Sequence, residues 1–153
     1  MNDELKIKQQ LYNECVNYVE SKIEQITNAV NDLQKASMLE TKSSMGDKYE
    51  TTISSIHLEM EKYSQQMNEF PTLKKILFQI NAGKKYHSVQ PGCVVYTNQG
   101  NYFIAITAGE FEVEGTRYLT ISLASPLGKE LHKRKTGDIF SFRNKQFTIE
   151  LVV

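Results

Sequence analysis

Apolar residues in the first half of the chain recur with the spacing of a helix that pairs with another helix. Tyr12, Val16, Val19, Ile23, Ile26, Val30 and Leu33 follow one another at alternating steps of four and three, with Leu5 one heptad before Tyr12. This is the seam of a coiled-coil helix, and Glu, Lys, Gln and Asn fill the positions between. The seam lapses near Ala36, and a polar stretch, Glu40 to Glu50, follows with Gly46 as its break point. The pattern resumes at Ile53, Ile56, Met60, Tyr63, Met67 and Phe70, and Leu73, Ile76, Leu77 and Ile80 extend an apolar face to about Asn81. Pro71 either begins a new helix or kinks a continuous one, and the spacing leaves both open. Two such helices joined by a short polar turn bury their seams as an antiparallel hairpin. The first, from about Asp3 to Glu40, would be roughly 55 Å long, more than a small compact domain needs.

Beyond residue 88 the period changes to two. Cys93–Thr97 and Tyr102–Thr107 read as strands around the turn Asn98 to Asn101. Phe111–Glu114 and Arg117–Ser122 flank a second turn at Glu114-Gly115-Thr116. Ser125-Pro126 opens a short helix, Leu127–His132, because Ser accepts at an N-cap and Pro suits the first turn. Gly137-Asp138 turns the chain into Ile139–Phe142 and Gln146–Val152. The expected fold is therefore α+β. An N-terminal antiparallel helical hairpin (residues 1–82) and a polar linker (83–88) precede a small antiparallel β domain (89–153). Glycine usage agrees, with two glycines before residue 89 and six after it.

Composition narrows the function classes. Lys+Arg and Asp+Glu are 18 each, so the chain lacks the basic excess of a protein that wraps nucleic acid by neutralising phosphates. No apolar run is long enough to span a bilayer, and MNDELKIKQQ does not resemble a signal peptide, so a cytoplasmic location and no membrane partner are expected. Cys15 and Cys93 stand alone, which argues against a disulfide framework and a Cys-rich zinc site. His57, His87 and His132 have no metal-ligand spacing, and no nucleophile motif or phosphate loop is present.

Two segments carry a more specific message. At the hairpin turn stands Gly46-Asp47-Lys48-Tyr49-Glu50; in the second half stand Ile121 to Leu131, containing Ser125, Pro126 and Gly128, and then Lys135-Thr136-Gly137-Asp138. Together they resemble the Gly-Asp-x-x-Glu tip and the Ser-Pro segment of the Gre-type transcript cleavage factors of bacterial RNA polymerase. Their order and approximate spacing match, across nearly the whole chain. The resemblance implies an FKBP-like fold for the β domain. It also implies docking on the polymerase secondary channel through a segment shaped by Ser125, Pro126, Gly128 and Leu131. Lys133, Arg134 and Lys135 are candidate contacts there. The tip carboxylates Asp47 and Glu50 would then assist a Mg²⁺ shared with the polymerase active site, in indirect contact with the RNA 3′ end and DNA. No tightly bound cofactor and no catalysis by the isolated chain are implied.

The residues by themselves admit a plainer role. Asp47 and Glu50 have the spacing of a capping box, and acidic groups favour a helix N-terminus in any case. Glu50 is followed by Thr51-Thr52-Ile53, where the family commonly has Asn-Ala-x-Tyr. A channel-binding regulator without cleavage, or a coiled-coil interaction module, are therefore alternatives. The Gre-like and regulator readings expect a monomer by light scattering; a dimer, paired through the hairpin, would favour the interaction module.

Overall fold

The computed structural model describes residues 3–43 and 46–153, with the side chains of residues 40–49 outside the described set. The elements run α1 (Asp3–Ser43), α2 (Gly46–Met67), α3 (Phe70–Gln79), β1 (Val94–Thr97), β2 (Gly100–Ile104), β3 (Gly109–Val113), β4 (Thr116–Ile121), α4 (Pro126–Leu131), β5 (Ile139–Phe142) and β6 (Lys145–Val152). The α+β architecture expected from periodicity, a helical hairpin followed by a β domain, is present. The chain forms two compact units, Val19–Lys74 and Met1–Tyr18 together with Lys75–Val153.

In the helical unit the heptad positions are the ones withdrawn from solvent. Val19, Ile26, Ile56 and Phe70 are buried, while Ile23, Val30, Leu33, Ile53, Met60, Tyr63 and Met67 are half-buried. Two helices can shield only one stripe of each other, so a partly covered seam is what a lone hairpin yields. The pairing is antiparallel: Ile26, Thr27, Val30 and Asn31 of α1 line one hollow with Ser64, Met67 and Asn68.

Pro71 begins a new helix. The Asn68 amide still donates to Ser64 O at 3.1 Å, but Pro71 has no N–H to continue the ladder, and α3 starts one residue before it.

The β unit is a six-stranded sheet in the order β3-β4-β2-β1-β6-β5. All neighbours are antiparallel except β2 and β4, which run parallel, with Tyr102 opposite Leu119 and Ile104 opposite Ile121. The sheet is thus mainly antiparallel, as the sequence leads one to expect, with this one parallel contact. The β3–β4 hairpin is inserted beyond β2, so β4 reaches β2 through a crossover and not a tight turn.

Both faces of the central strands β1 and β2 are buried. On one, Val95, Tyr102, Ile104, Ile121, Phe147, Ile149 and Val152 form the main core with Leu131 of α4. On the other, Val94, Phe103, Tyr118 and Thr120 are buried, and Tyr96 meets Tyr118 edge-on with hydroxyls 3.2 Å apart. The first turns of α1 pack within this same unit. Leu11 and Cys15 are fully buried, the Cys15 thiol meets the Ile106 backbone, and Tyr12 Oη donates to Leu77 O of α3 at 3.1 Å.

The most unusual buried group is Lys8, which has 0% exposure. Its ammonium donates to the carbonyl oxygens of Lys84 and, at 3.2 Å, Val153, and sits 4.7 Å from the centre of the Tyr86 ring. The polar segment 83–88, read from sequence as a linker, is thus held within the β unit, where Tyr86 joins the core. A lysine can be enclosed this way because two carbonyl dipoles and a ring face replace part of its hydration.

Burial lowers the Lys8 pKa from 10.5 to about 8. Between those values the unfolded chain holds a proton that the folded chain has released, so this group makes stability rise with pH across the window. Urea unfolding from pH 7 to 10 should show that rise in wild type relative to Lys8→Met. Parallel profiles would contradict the assignment.

Candidate functional sites at the hairpin turn and around α4

At the turn, α1 ends at Ser43 and α2 begins at Gly46, so Asp47 and Glu50 both fall in the first turn of α2. Their i, i+3 spacing puts them on one side of that turn. The Glu50 side chain is exposed. The Asp47 side chain, with those of Glu40, Lys42 and Lys48, lies outside the described residues, and so does the capping-box geometry. Two carboxylates offer hard oxygen donors, the chemistry that Mg²⁺ prefers. Among the described residues no group of three or more His, Cys, Asp or Glu side chains could hold a metal ion. Past Glu50, α2 presents Leu58 at 69% exposure. Leu58 belongs to no heptad position, which is the sequence signal that could have singled it out.

Around α4 the geometry is defined throughout. Ser125 is the N-cap: its Oγ donates to Ser122 O at 2.6 Å and accepts from the Gly128 amide at 3.1 Å. Pro126 takes the first helical position, where no amide partner is needed. Gly128 is buried against the preceding loop, and a Cβ there would collide with the Ser122 carbonyl oxygen and lie 2.9 Å from Leu123 Cα. Leu131 is fully buried in the core. Gly128 and Leu131 therefore shape this segment from within and offer no surface to a partner. The exposed groups are Pro126, Lys129 and Glu130, with Ser125 half-buried and Leu127 packed against the core, together with the residues after the helix.

The basic run is more ordered than a solvated loop. Lys133 takes a left-handed φ of 70°, and its amide donates to Val89 O at 2.9 Å, while Val89 N donates to Arg134 O at 2.8 Å. The Arg134 guanidinium sits 4.4 Å from the Phe140 ring centre and 3.6 Å from the Glu130 carboxylate. The Lys135 amide donates to the Asp138 carboxylate at 2.8 Å. Lys133 and Lys135 keep exposed side chains; Arg134 is half-buried. Nearby, Ile139 is 56% exposed and Arg143 lies 4.9 Å from the Phe142 ring centre. These two residues went unmarked in the sequence because alternation alone does not say which strand is an edge.

Both cysteines are buried. Burial pushes the Cys15 thiol up to about 12 and the Cys93 thiol to about 11, so neither supplies a thiolate near neutral pH. Among the described residues no helix is long and apolar enough to cross a membrane.

No family model matches the chain. No curated protein matches it either. Among solved structures, one titled "Structure of the transcription factor Gfh1" aligns over 92% of each chain at 17% identity, with a TM-score of 0.34.

Two substitutions test how the α4 segment is built. Ser125→Ala should cost about 1 kcal/mol in denaturant unfolding, the loss of a helix N-cap. Gly128→Ala should cost about 1–3 kcal/mol through overpacking against backbone that cannot retreat. A neutral Gly128→Ala would contradict the close approach to Ser122.

Proposed function

We propose that this protein is a Gre-like transcription factor that binds RNA polymerase at its secondary channel and stimulates the polymerase's own cleavage of backtracked transcripts. The observation that carries the reading is where the two family-like segments fall. Gly46-Asp47-Lys48-Tyr49-Glu50 opens α2 directly after the hairpin turn, and Ser125-Pro126 caps α4 in the β unit of the same chain. A tip-like segment at a helix start and a Ser-Pro cap in the β unit support this reading.

In this reading the chain is an accessory to another protein's active site and has no activity alone. Mg²⁺ held by one or two carboxylates and substrate phosphates keeps several waters, and in two-metal phosphoryl chemistry the second ion readies the attacking one. Asp47 and Glu50 would hold that ion and orient its water. Two carboxylates without a partner bind Mg²⁺ poorly, which fits a site completed only in the complex. Ser125 and Pro126, with Lys133 and Lys135, would face the polymerase, while Gly128 and Leu131 hold the segment's shape.

Stalled, backtracked elongation complexes from the source bacterium provide the test. The protein should accelerate release of short 3′ RNA fragments. Asp47→Asn/Glu50→Gln should reduce that rate roughly 100-fold, the scale of removing a preorganised electrostatic group, while leaving polymerase binding intact. Binding without cleavage by the unaltered protein would identify a channel-occupying regulator instead. Absence of binding would sink both.

A further inference from the structure

The two outer strands of the sheet differ in charge. The β3 edge carries Glu110, Glu112 and Glu114 and no basic residue within Gly109 to Glu114. The β5 edge lies in a segment, Glu130 to Lys145, with five basic residues against two acidic ones. Both acids there are already engaged, Glu130 by the Arg134 guanidinium and Asp138 by the Lys135 amide.

The β5–β6 hairpin shows which backbone groups the edge offers. Arg143 and Asn144 form a two-residue turn with φ of 51° and 65°. The flanking Phe142 and Lys145 are then a hydrogen-bonded pair, and so are Phe140 and Phe147 two positions on. Ile139 and Ser141 alternate with them, so their N–H and C=O groups point away from β6, along the outer edge. Both side chains are exposed, and both stand on the sheet face opposite Phe140 and Phe142.

Charged residues on an edge strand ordinarily repel other strands. Here the two guanidiniums nearest β5 are parked over Phe140 and Phe142, at 4.4 Å and 4.9 Å from the ring centres. They hold positive charge beside the strand without covering the outward groups of Ile139 and Ser141. Positive charge, an exposed apolar side chain and a free run of main-chain donors and acceptors are what an extended acidic strand needs to add itself to a sheet. We propose that the β5 edge receives an extended acidic segment of a partner protein as a seventh strand, with Ile139 and Ser141 supplying the main-chain hydrogen bonds and Arg134, Lys135, Arg143 and Lys145 the charge. The site shares Lys135 with the group proposed to face the polymerase, but its argument does not use the transcription reading.

A peptide of alternating valine and glutamate, added to the full-length protein at low salt, is a direct probe. Amide exchange followed by NMR should slow at Ile139 and Ser141, and binding should weaken as salt screens the charges. Ser141→Pro removes an outward donor while leaving the β6 ladder intact, because proline is tolerated on an edge. It should weaken binding about tenfold, the effect of one hydrogen bond worth about 1.4 kcal/mol. Arg143→Glu with Lys135→Glu should abolish binding without touching the edge backbone. Three results would overturn the proposal: unchanged exchange at Ile139 and Ser141, peptide binding indifferent to both sets of variants, or sedimentation showing that the β3 edge of a second copy takes the place. A single-stranded oligonucleotide that displaces the peptide and outbinds it, with no protection at Ile139 and Ser141, would reassign the patch to nucleic acid and overturn it too.

Discussion

One helix has to satisfy two different surroundings. Along its first turns α1 is buried in the β unit, with Leu11 and Cys15 fully enclosed; further on its seam is mostly half-covered in the hairpin. A two-helix hairpin by itself buries little apolar surface per residue and gains little stability from it. The anchoring turns of α1 belong instead to the unit that contains the sheet, whose central strands are buried. The Lys8 ammonium is the polar part of that anchorage, joining α1 to the 83–88 segment and to the end of β6 through carbonyl oxygens. A charged group in that position tolerates little rearrangement, since loss of either acceptor would leave it desolvated with one hydrogen bond fewer.

The helices and most strands were legible because their signals are local. Steps of three and four set the hairpin seam, and every residue on it from Val19 to Phe70 that was named from spacing is buried or half-buried. Strand ends fell within a few residues of their positions, since Asn, Gly and Asp mark the turns. What escaped notice depends on long-range pairing. The parallel contact of β2 with β4 follows from where the β3–β4 hairpin is inserted, which alternation does not encode. Lys8 reads as a solvated helix residue until Val153 and Lys84 are brought beside it. Pro71 could be placed only once the amide ladder around Ser64 and Asn68 was seen.

The candidate sites divide in the same way. Ser125 was readable as an N-cap because capping is a local rule, and its Oγ does accept the Gly128 amide. Gly128 and Leu131 were singled out by resemblance, and packing explains them more fully: one has no room for a side chain, the other fills the core. Arg143 carried no sequence signal, because its value comes from lying over Phe142 at the end of an edge strand. At the hairpin turn, placement of Asp47 and Glu50 in the first turn of α2 agrees with a cap and with a metal-assisting pair alike. A helix start attracts carboxylates for electrostatic reasons whichever role they serve.

Neutral net charge, 18 basic against 18 acidic residues, suits a protein that reaches nucleic acid through a protein partner and not by wrapping phosphates. The proposed function requires that the turn between α1 and α2 be delivered into the active centre of RNA polymerase. A photo-crosslinking amino acid placed at Glu50, in a stalled complex with radiolabelled RNA 3′ ends, measures this most directly. The account predicts crosslinks to the backtracked 3′ segment and to polymerase residues at the catalytic centre. Crosslinks confined to the polymerase exterior, or none under conditions where the protein is bound, would contradict it.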